Sequence, residues 1–306
     1  MIYLGFDTSN YTTSLAACGD KTVNLRKLLL VKSGERGLRQ SDAVFQHMKQ
    51  LPVLYSQLLE NIDINAVSCV GVSTRPRSVL GSYMPVFLSG EGYASVCADT
   101  LGVPLYRFSH QDGHIMAGIE SADCYELLNK EFLSVHLSGG TCEILKTRYN
   151  GKNFDVEIVG GTKDISAGQL IDRIGVKMGL QFPCGKEMEI LCKDSKDFVK
   201  LPVNVGGGYV NFSGIETKAM SLVDKENREK LARGVFVAVA KALEKMLNAC
   251  ITQCKTEEIL IVGGVISNDI IKEYLKGRFN VHFASKEYSC DNAMGISILA
   301  KMLHGF

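Results

Sequence analysis

One pattern occurs twice in this chain of 306 residues and limits the fold more than any single motif. Residues 2–7 alternate as a buried strand, Thr8-Ser9-Asn10-Tyr11 is a polar turn, and residues 12–18 form a second strand. Gly19-Asp20 is a turn, and a third strand follows near residues 22–31. In the second half, residues 132–137 read as a strand, Ser138-Gly139-Gly140 as a turn and residues 141–148 as the second strand. Asn150-Gly151 is a hairpin signal, and residues 154–159 make the third strand. A helix follows each meander, over residues 42–60 and 166–179. Two copies of a three-strand meander plus helix predict an internally duplicated α/β chain. Facing units of this kind would leave a cleft with one polar turn of each at its floor, the layout of the actin, sugar kinase and acetate kinase class, which binds ATP there. The expected lobes are residues 1–115, joined by a returning C-terminal helix over 291–306, and residues 116–290.

Other segments fit this plan. A strand is expected over residues 64–73, helices over 89–101 and 228–254, a buried strand over 258–262, and a helix from near Asn268. Residues 196–215, with Gly206-Gly207-Gly208, read as a loop or hairpin excursion. Hydrophobic residues make up 46% and charged residues 22%, so a chain of this length can bury a core without disulfides. The ten cysteines include no Cys-x-x-Cys pair, and they read as reduced thiols, many of them small core residues. A net charge of +1 gives no overall basic field, so an RNA partner would have to meet a local patch such as the arginines and lysines between Arg26 and Arg39, which could equally be a solvated strand and loop. Asp7 interrupts the first apolar stretch early, and no run of about 18 uncharged apolar residues occurs. A cytoplasmic protein with no membrane partner is expected.

Five short motifs could carry chemistry. His110 and His114 are spaced i, i+4 on a helical turn, so both imidazoles can reach one cation, although two ligands do not complete a site and a helix start with chance histidines has the same spacing. Leu137-Ser138-Gly139-Gly140-Thr141 is a turn whose backbone N–H groups could approach a phosphate, or a plain tight hairpin. Gly263-Gly264-Val265-Ile266-Ser267-Asn268 follows a buried strand, either as a ligand-facing βα turn or as a simple one with Asn268 as helix cap. Asp164 through Asp172 opens a helix in which Asp172 could accept ribose hydroxyls or face solvent, with Ser166 as cap. Asp291-Asn292 opens the last helix, where an acid suits the helix dipole or could complete the metal site.

In this order, over essentially the whole chain, the five motifs resemble one family, the tRNA threonylcarbamoyladenosine transferases of the TsaD/Gcp group. The family's His-x-x-Gly-His matches His110 to His114, and its C-terminal Asp-Asn matches Asp291-Asn292. The resemblance therefore implies iron or zinc held by His110, His114 and Asp291. The Val-Ser-Gly-Gly-His-Thr turn matches Leu137, Ser138, Gly139, Gly140 and Thr141 without the histidine. Ala-Gly-x-x-x-Asp matches Ala167, Gly168 and Asp172; Pro-Gly-Gly leaves Gly185; Gly-Gly-Val-x-x-Asn matches Gly263, Gly264 and Asn268. These residues are implied to hold ATP or an adenylate. Phe212-Ser213-Gly214-Ile215-Glu216-Thr217 carries Glu216 where the family has lysine.

Two departures bear on activity. The family's Glu-Thr-Ser-Cys-Asp-Glu-Thr reads Asp7-Thr8-Ser9-Asn10-Tyr11-Thr12-Thr13, so its Asp-Glu pair is replaced by Tyr11-Thr12. Its Gly-Pro-Gly-Leu loop reads Arg75-Pro76-Arg77-Ser78, and those guanidiniums could clamp an anion or face solvent. Ser9, Asn10, Arg75 and Arg77 are thus further expected substrate contacts. The implied activity is metal-dependent transfer of threonylcarbamoyl from its adenylate to N6 of adenosine 37 of tRNA, in concert with protein partners of a threonylcarbamoylation complex. The departures leave two alternatives: a paralogue with another carbamoyl acceptor, and a non-catalytic nucleotide-binding subunit. A zinc protease is not expected, because the histidine pair lacks the glutamate of His-Glu-x-x-His.

Overall fold

A computed structural model describes residues 1–9, 11–31, 38–79, 81–288 and 292–305. They divide into two units. Unit 1 comprises Met1–Tyr125, Tyr149–Asp155 and Glu287–Phe306; unit 2 comprises Glu126–Arg148 and Val156–Lys286.

Unit 1 is built on five strands: β1 (Ile2–Thr8), β2 (Thr12–Gly19), β3 (Val23–Leu28), β4 (Val67–Arg75) and β5 (Leu105–Ser109), in the order β3-β2-β1-β4-β5. β1–β2–β3 is the antiparallel meander, and β4 and β5 extend the sheet in parallel. β1 is buried along its whole length, which its near-continuous apolar sequence requires. Ile2, Leu4 and Phe6 pack with Leu51, Leu54 and Leu58 of α1 (Gln40–Leu59) and Ala94 and Ala98 of α2 (Phe87–Leu101). Asp7, one residue on, projects from the opposite face of the strand.

Two further helices complete unit 1, α3 (His110–Ala122) and the C-terminal α9 (Met294–His304), which begins three residues later than the sequence suggests. They meet at backbone distance: a Cβ on Gly295 would sit 1.9 Å from the Gly113 carbonyl oxygen and 2.8 Å from the Ala117 nitrogen.

Unit 2 repeats the plan. Its meander is β6 (Glu131–Leu137), β7 (Cys142–Tyr149) and β8 (Phe154–Thr162); β11 (Ile259–Val262) lies parallel to β6, and β12 (Val281–Phe283) parallel to β11. The full order is β12-β11-β6-β7-β8-β10-β9, so the 3-2-1-4-5 order of unit 1 recurs and is extended by the short pair β9 (Val205–Gly206) and β10 (Tyr209–Val210). Leu133, Val135 and Leu137 of β6 enter a core with Leu170 and Ile174 of α4 (Ala167–Lys177) and the long buried side of α7 (Arg228–Cys254).

Several boundaries differ from the sequence expectation. Residues 64–66 are a 3₁₀ turn, not strand, because Asp63 accepts the Asn65 N–H at 3.0 Å. β3 ends at Leu28, where its residues become exposed. The excursion at 196–215 does contain the β9–β10 hairpin, but its end belongs to α6 (Ser213–Met220). β5, β12, α5 (Gly185–Leu191) and the full length of α3 carry periodicity too short or too mixed to read. No helix among the described residues is long and apolar enough to cross a membrane.

Gly295→Ala is expected to lower stability by about 3 kcal/mol, since backbone faces backbone and neither can yield without moving a helix. Gly277, where an added Cβ meets nothing within 4 Å, is the control: Gly277→Ala should leave the urea midpoint nearly unchanged.

Candidate functional site

In unit 1, the chemistry gathers where β1, β4 and β5 end. Ser109, the last residue of β5, caps α3: its hydroxyl accepts the Asp112 N–H at 3.1 Å, and the Asp112 carboxylate accepts the Ser109 N–H at 2.8 Å. This reciprocal cap fixes the entry of α3 and puts His110 at its first position. One helical turn on, His114 brings its Nε2 to 3.0 Å from Nε2 of His110, with the rings steeply tilted. Two imidazole nitrogens bound to one cation at about 2.1 Å each lie about 3.0–3.4 Å apart for angles of about 90–110°. The pair is therefore spaced to share one cation.

The sequence reading missed Asp7 and Ser73. Asp7 is fully buried. Its Oδ1 lies 2.9 Å from Nδ1 of His110 and also accepts the Ser73 hydroxyl. Its Oδ2 has no hydrogen-bond partner among the described residues. The available signal was an acid in an otherwise apolar buried strand, since an unpaired buried carboxylate is costly. Asp291, the expected third ligand, and Asn10 lie outside the described residues. Among the described residues no group of three or more His, Cys, Asp or Glu is arranged to hold a metal.

Arg75 ends β4 opposite Ser109, and its guanidinium donates to Thr74 at 3.3 Å. The Arg77 N–H donates to Ser82 at 3.0 Å. Their loop is tied to the first turn of α3, because Gln111 N–H donates to the Pro76 carbonyl and Ser78 donates to Asp112. Ser9 is buried, with its hydroxyl 3.5 Å from the Thr12 carbonyl. In the altered turn Tyr11 is 43% exposed while Thr12 is buried.

In unit 2, a cavity of about 480 Å³ is lined by Gly139, Gly168, Asp172, Gly185, Gly264 and Asn268 from the sequence expectation. The other expected residues support it from behind. Leu137 is buried in the core, and Gly263, at φ 107°, packs against the Leu137 carbonyl, where any side chain would collide. The Ser138 hydroxyl accepts the Thr141 N–H at 3.0 Å and, at 3.4 Å, that of Gly140, so it closes its own turn. A Cβ on Gly168 would stand 2.5 Å from Cα of Gly139, so the first turn of α4 can lie directly under the glycine turn. Ser166 holds that contact, donating to the Gly139 carbonyl at 2.6 Å while capping α4.

The polar groups of the cavity are only partly satisfied internally. Asp172 Oδ1 accepts the Cys184 N–H at 2.8 Å, and burial pushes its carboxyl upward against that bond. Asn268 caps α8 (Asp269–Lys276) with Oδ1 at 3.0 Å from the Ile271 nitrogen, whereas its Nδ2 is buried with no partner among the described residues. Glu189, Lys186, Lys286 and Phe236 also line the cavity and were not anticipated. Burial raises the Glu189 carboxyl, although it accepts the Asp269 N–H at 2.6 Å. Glu216 does not line the cavity; it pairs with Arg173 at 3.4 Å. Asp164, the first residue of the fourth motif, instead anchors α6: it accepts the N–H groups of Phe212 at 2.8 Å and Ser213 at 3.0 Å.

Comparison with known proteins agrees with the motif order. The family model for TsaD, tRNA N6-adenosine threonylcarbamoyltransferase, matches residues 31–298. The tRNA N6-adenosine threonylcarbamoyltransferase of Mycoplasmopsis synoviae is 29% identical over 98% of this chain and 97% of its own length. A probable bifunctional tRNA threonylcarbamoyladenosine biosynthesis protein of Methanocaldococcus jannaschii is 26% identical over 99% of this chain, which spans 56% of that protein. Among solved structures, the activator of 2-hydroxyisocaproyl-CoA dehydratase from Clostridium difficile, with bound ADPNP, superposes with TM-score 0.55 at 14% identity, covering 99% of this chain and 96% of that one. A ROK family glucokinase from Streptomyces griseus gives 0.54 at 10% identity, covering 99% of each chain. These likenesses show the actin/sugar-kinase-like fold.

Burial works against ionisation of Asp164, but the bonds from Ser213, Phe212 and Thr162 outweigh it and hold its carboxyl below the usual range. Its contribution to stability is present above the ordinary carboxylate value of about 4 and is lost as pH falls through the lowered one. Asp164→Ala should cost about 1 kcal/mol at neutral pH, as for other lost helix caps. Denaturation midpoints of mutant and parent should converge in acid.

Proposed function

Because the chain belongs to the TsaD family of tRNA N6-adenosine threonylcarbamoyltransferases, we propose that it transfers threonylcarbamoyl from threonylcarbamoyl-adenylate to N6 of adenosine 37 in tRNA. The observation that carries the reading is the unit 2 cavity, where residues of four motifs meet, among them Asp172 and Asn268 with unused hydrogen-bonding capacity. Ionised Asp172 accepts ribose hydroxyls with the oxygen that Cys184 leaves free. Asn268 Nδ2 donates to an acceptor on the nucleoside or threonyl part. Glu189 suits an amino group of the base, and Lys186 and Lys286 offset phosphate charge. The open turns at Gly139 and Gly264 allow phosphate oxygens to approach the backbone.

His110 and His114 fit a divalent cation, iron or zinc, by their 3.0 Å spacing, with Asp291 as third ligand. Such a cation supplies Lewis-acid polarisation of the carbamoyl carbonyl. The chain's own work is to orient the two imidazoles through the α3 cap and Asp7, and to hold the acyl adenylate for attack by the adenosine amine.

A second reading is transfer to a different amine or hydroxyl acceptor. The turn that carries two acids in the family presents here an exposed phenol, Tyr11, and a buried hydroxyl, Thr12. Arg75 and Arg77 add cations beside α3 that suit an anionic acceptor. A non-catalytic subunit would keep partner binding unchanged in His110→Ala.

The deciding experiment gives purified protein, its divalent metal and threonylcarbamoyl-adenylate to unmodified tRNA. Modified adenosine by mass spectrometry is expected. Its absence where another family member works under the same conditions overturns the tRNA reading, and product on a small amine would support the second. Asp172→Asn should weaken adenylate binding about tenfold, the worth of one charge-assisted hydrogen bond. Parent affinity should fall as pH drops through the raised Asp172 value, because protonation removes the acceptor. Calorimetry on the mutant should show a flatter dependence.

A further inference from the structure

We infer that Asp7 is the positioning residue of the cation centre: buried behind His110, it fixes that imidazole as the Nδ1–H tautomer and so turns the Nε2 lone pair toward His114 and the shared cation. The inference rests on the reading that His110 and His114 hold a cation.

An ionised carboxylate only accepts hydrogen bonds. Asp7 Oδ1 already accepts the Ser73 hydroxyl, and its 2.9 Å contact with His110 therefore requires the proton on Nδ1. In the Nδ1–H tautomer the Nε2 of His110 carries the lone pair, and it lies 3.0 Å from Nε2 of His114. Without a cation, His114 fills that lone pair with its own Nε2–H. With a cation held by both residues, His114 would present its Nε2 lone pair and carry its proton on Nδ1. Asp7 thus selects which nitrogen of His110 carries the lone pair before any cation arrives. The second carboxylate oxygen has no partner among the described residues, so Asp7 also brings a negative charge that a nearby cation compensates. Carboxylates bonded to metal-ligating histidines generally act this way, and their loss weakens metal binding about 10–100-fold.

The strand holds Asp7 in place for structural reasons that do not involve the cation. Phe6 on one side locks β1 into the unit 1 core, and the Ser14 hydroxyl donates to the Asp7 carbonyl at 3.2 Å. Ser73 reaches it from β4, the strand paired in parallel with β1.

The test uses the full chain stripped of metal and titrated with Co²⁺ in competition with a chelator. Asp7→Ala should bind Co²⁺ 10–100-fold more weakly, with a shifted visible absorption band; Asp7→Asn, whose carbonyl can still accept the Nδ1–H, should fall between it and the parent. His114→Ala should lose the site. Independently, ¹⁵N NMR of the metal-free parent should report His110 as the Nδ1–H form, and of Asp7→Asn the same form. If His114→Ala abolishes binding but both Asp7 variants keep parental affinity and spectrum, the inference is wrong and the cation reading stands. If the parent binds no Co²⁺, both are wrong. Should Asp7→Ala fail to fold, Asp7→Asn and the tautomer of the parent decide, and an Nε2–H His110 in the parent overturns the proposal.

Discussion

Parallel hydrogen bonding of β1 to β4, and of β4 to β5, determines where chemistry can occur in unit 1. It aligns the carboxyl ends of three strands at one edge of the sheet, and Asp7, Ser73 and His110 are the residues delivered there. In unit 2, the parallel pair β6–β11 delivers the Ser138 and Gly263 turns to one edge in the same way. In unit 1, Asp7, Ser73 and His110 are far apart in sequence, but each sits within two or three residues of a strand end. Crevices at the carboxyl ends of parallel strands recur as ligand sites in α/β sheets for this reason.

The two sites use their strand ends differently. Unit 1 ends β5 in a helix that starts at once, so the Ser109–Asp112 cap sets the direction of two imidazoles. Unit 2 ends β6 and β11 in glycine turns, so the backbone itself is exposed to a ligand. The first arrangement suits a cation and the second an anion.

The departures from the family are local. Glu216, in the place of a lysine, is absorbed by an ion pair with Arg173 at the surface of unit 2. Arg75 and Arg77 occupy a loop held by backbone and serine bonds to α3, which keeps the loop in place whatever those side chains do. Ser78 of the altered loop donates to Asp112 and so joins the cap of α3, and Asp7, in the place of a glutamate, contacts His110.

The sequence by itself determined the duplicated meander, because alternation and turn residues act over a few neighbours: β1, β2, β6 and β7 and all of α7 could be read directly. It also determined the histidine pair, since i, i+4 spacing on a helix is a local fact. Tertiary structure decided the rest. Which turn residues face the cavity depends on how β6 and β11 are paired: Gly139 and Gly264 are lining residues, while Leu137, Ser138 and Gly263 hold the wall. Glu189 and Lys186 come from α5, a seven-residue helix without a legible period. Asp7 came beside His110 only through pairing with strands that begin some 60 and 100 residues later, a registry that no local pattern encodes.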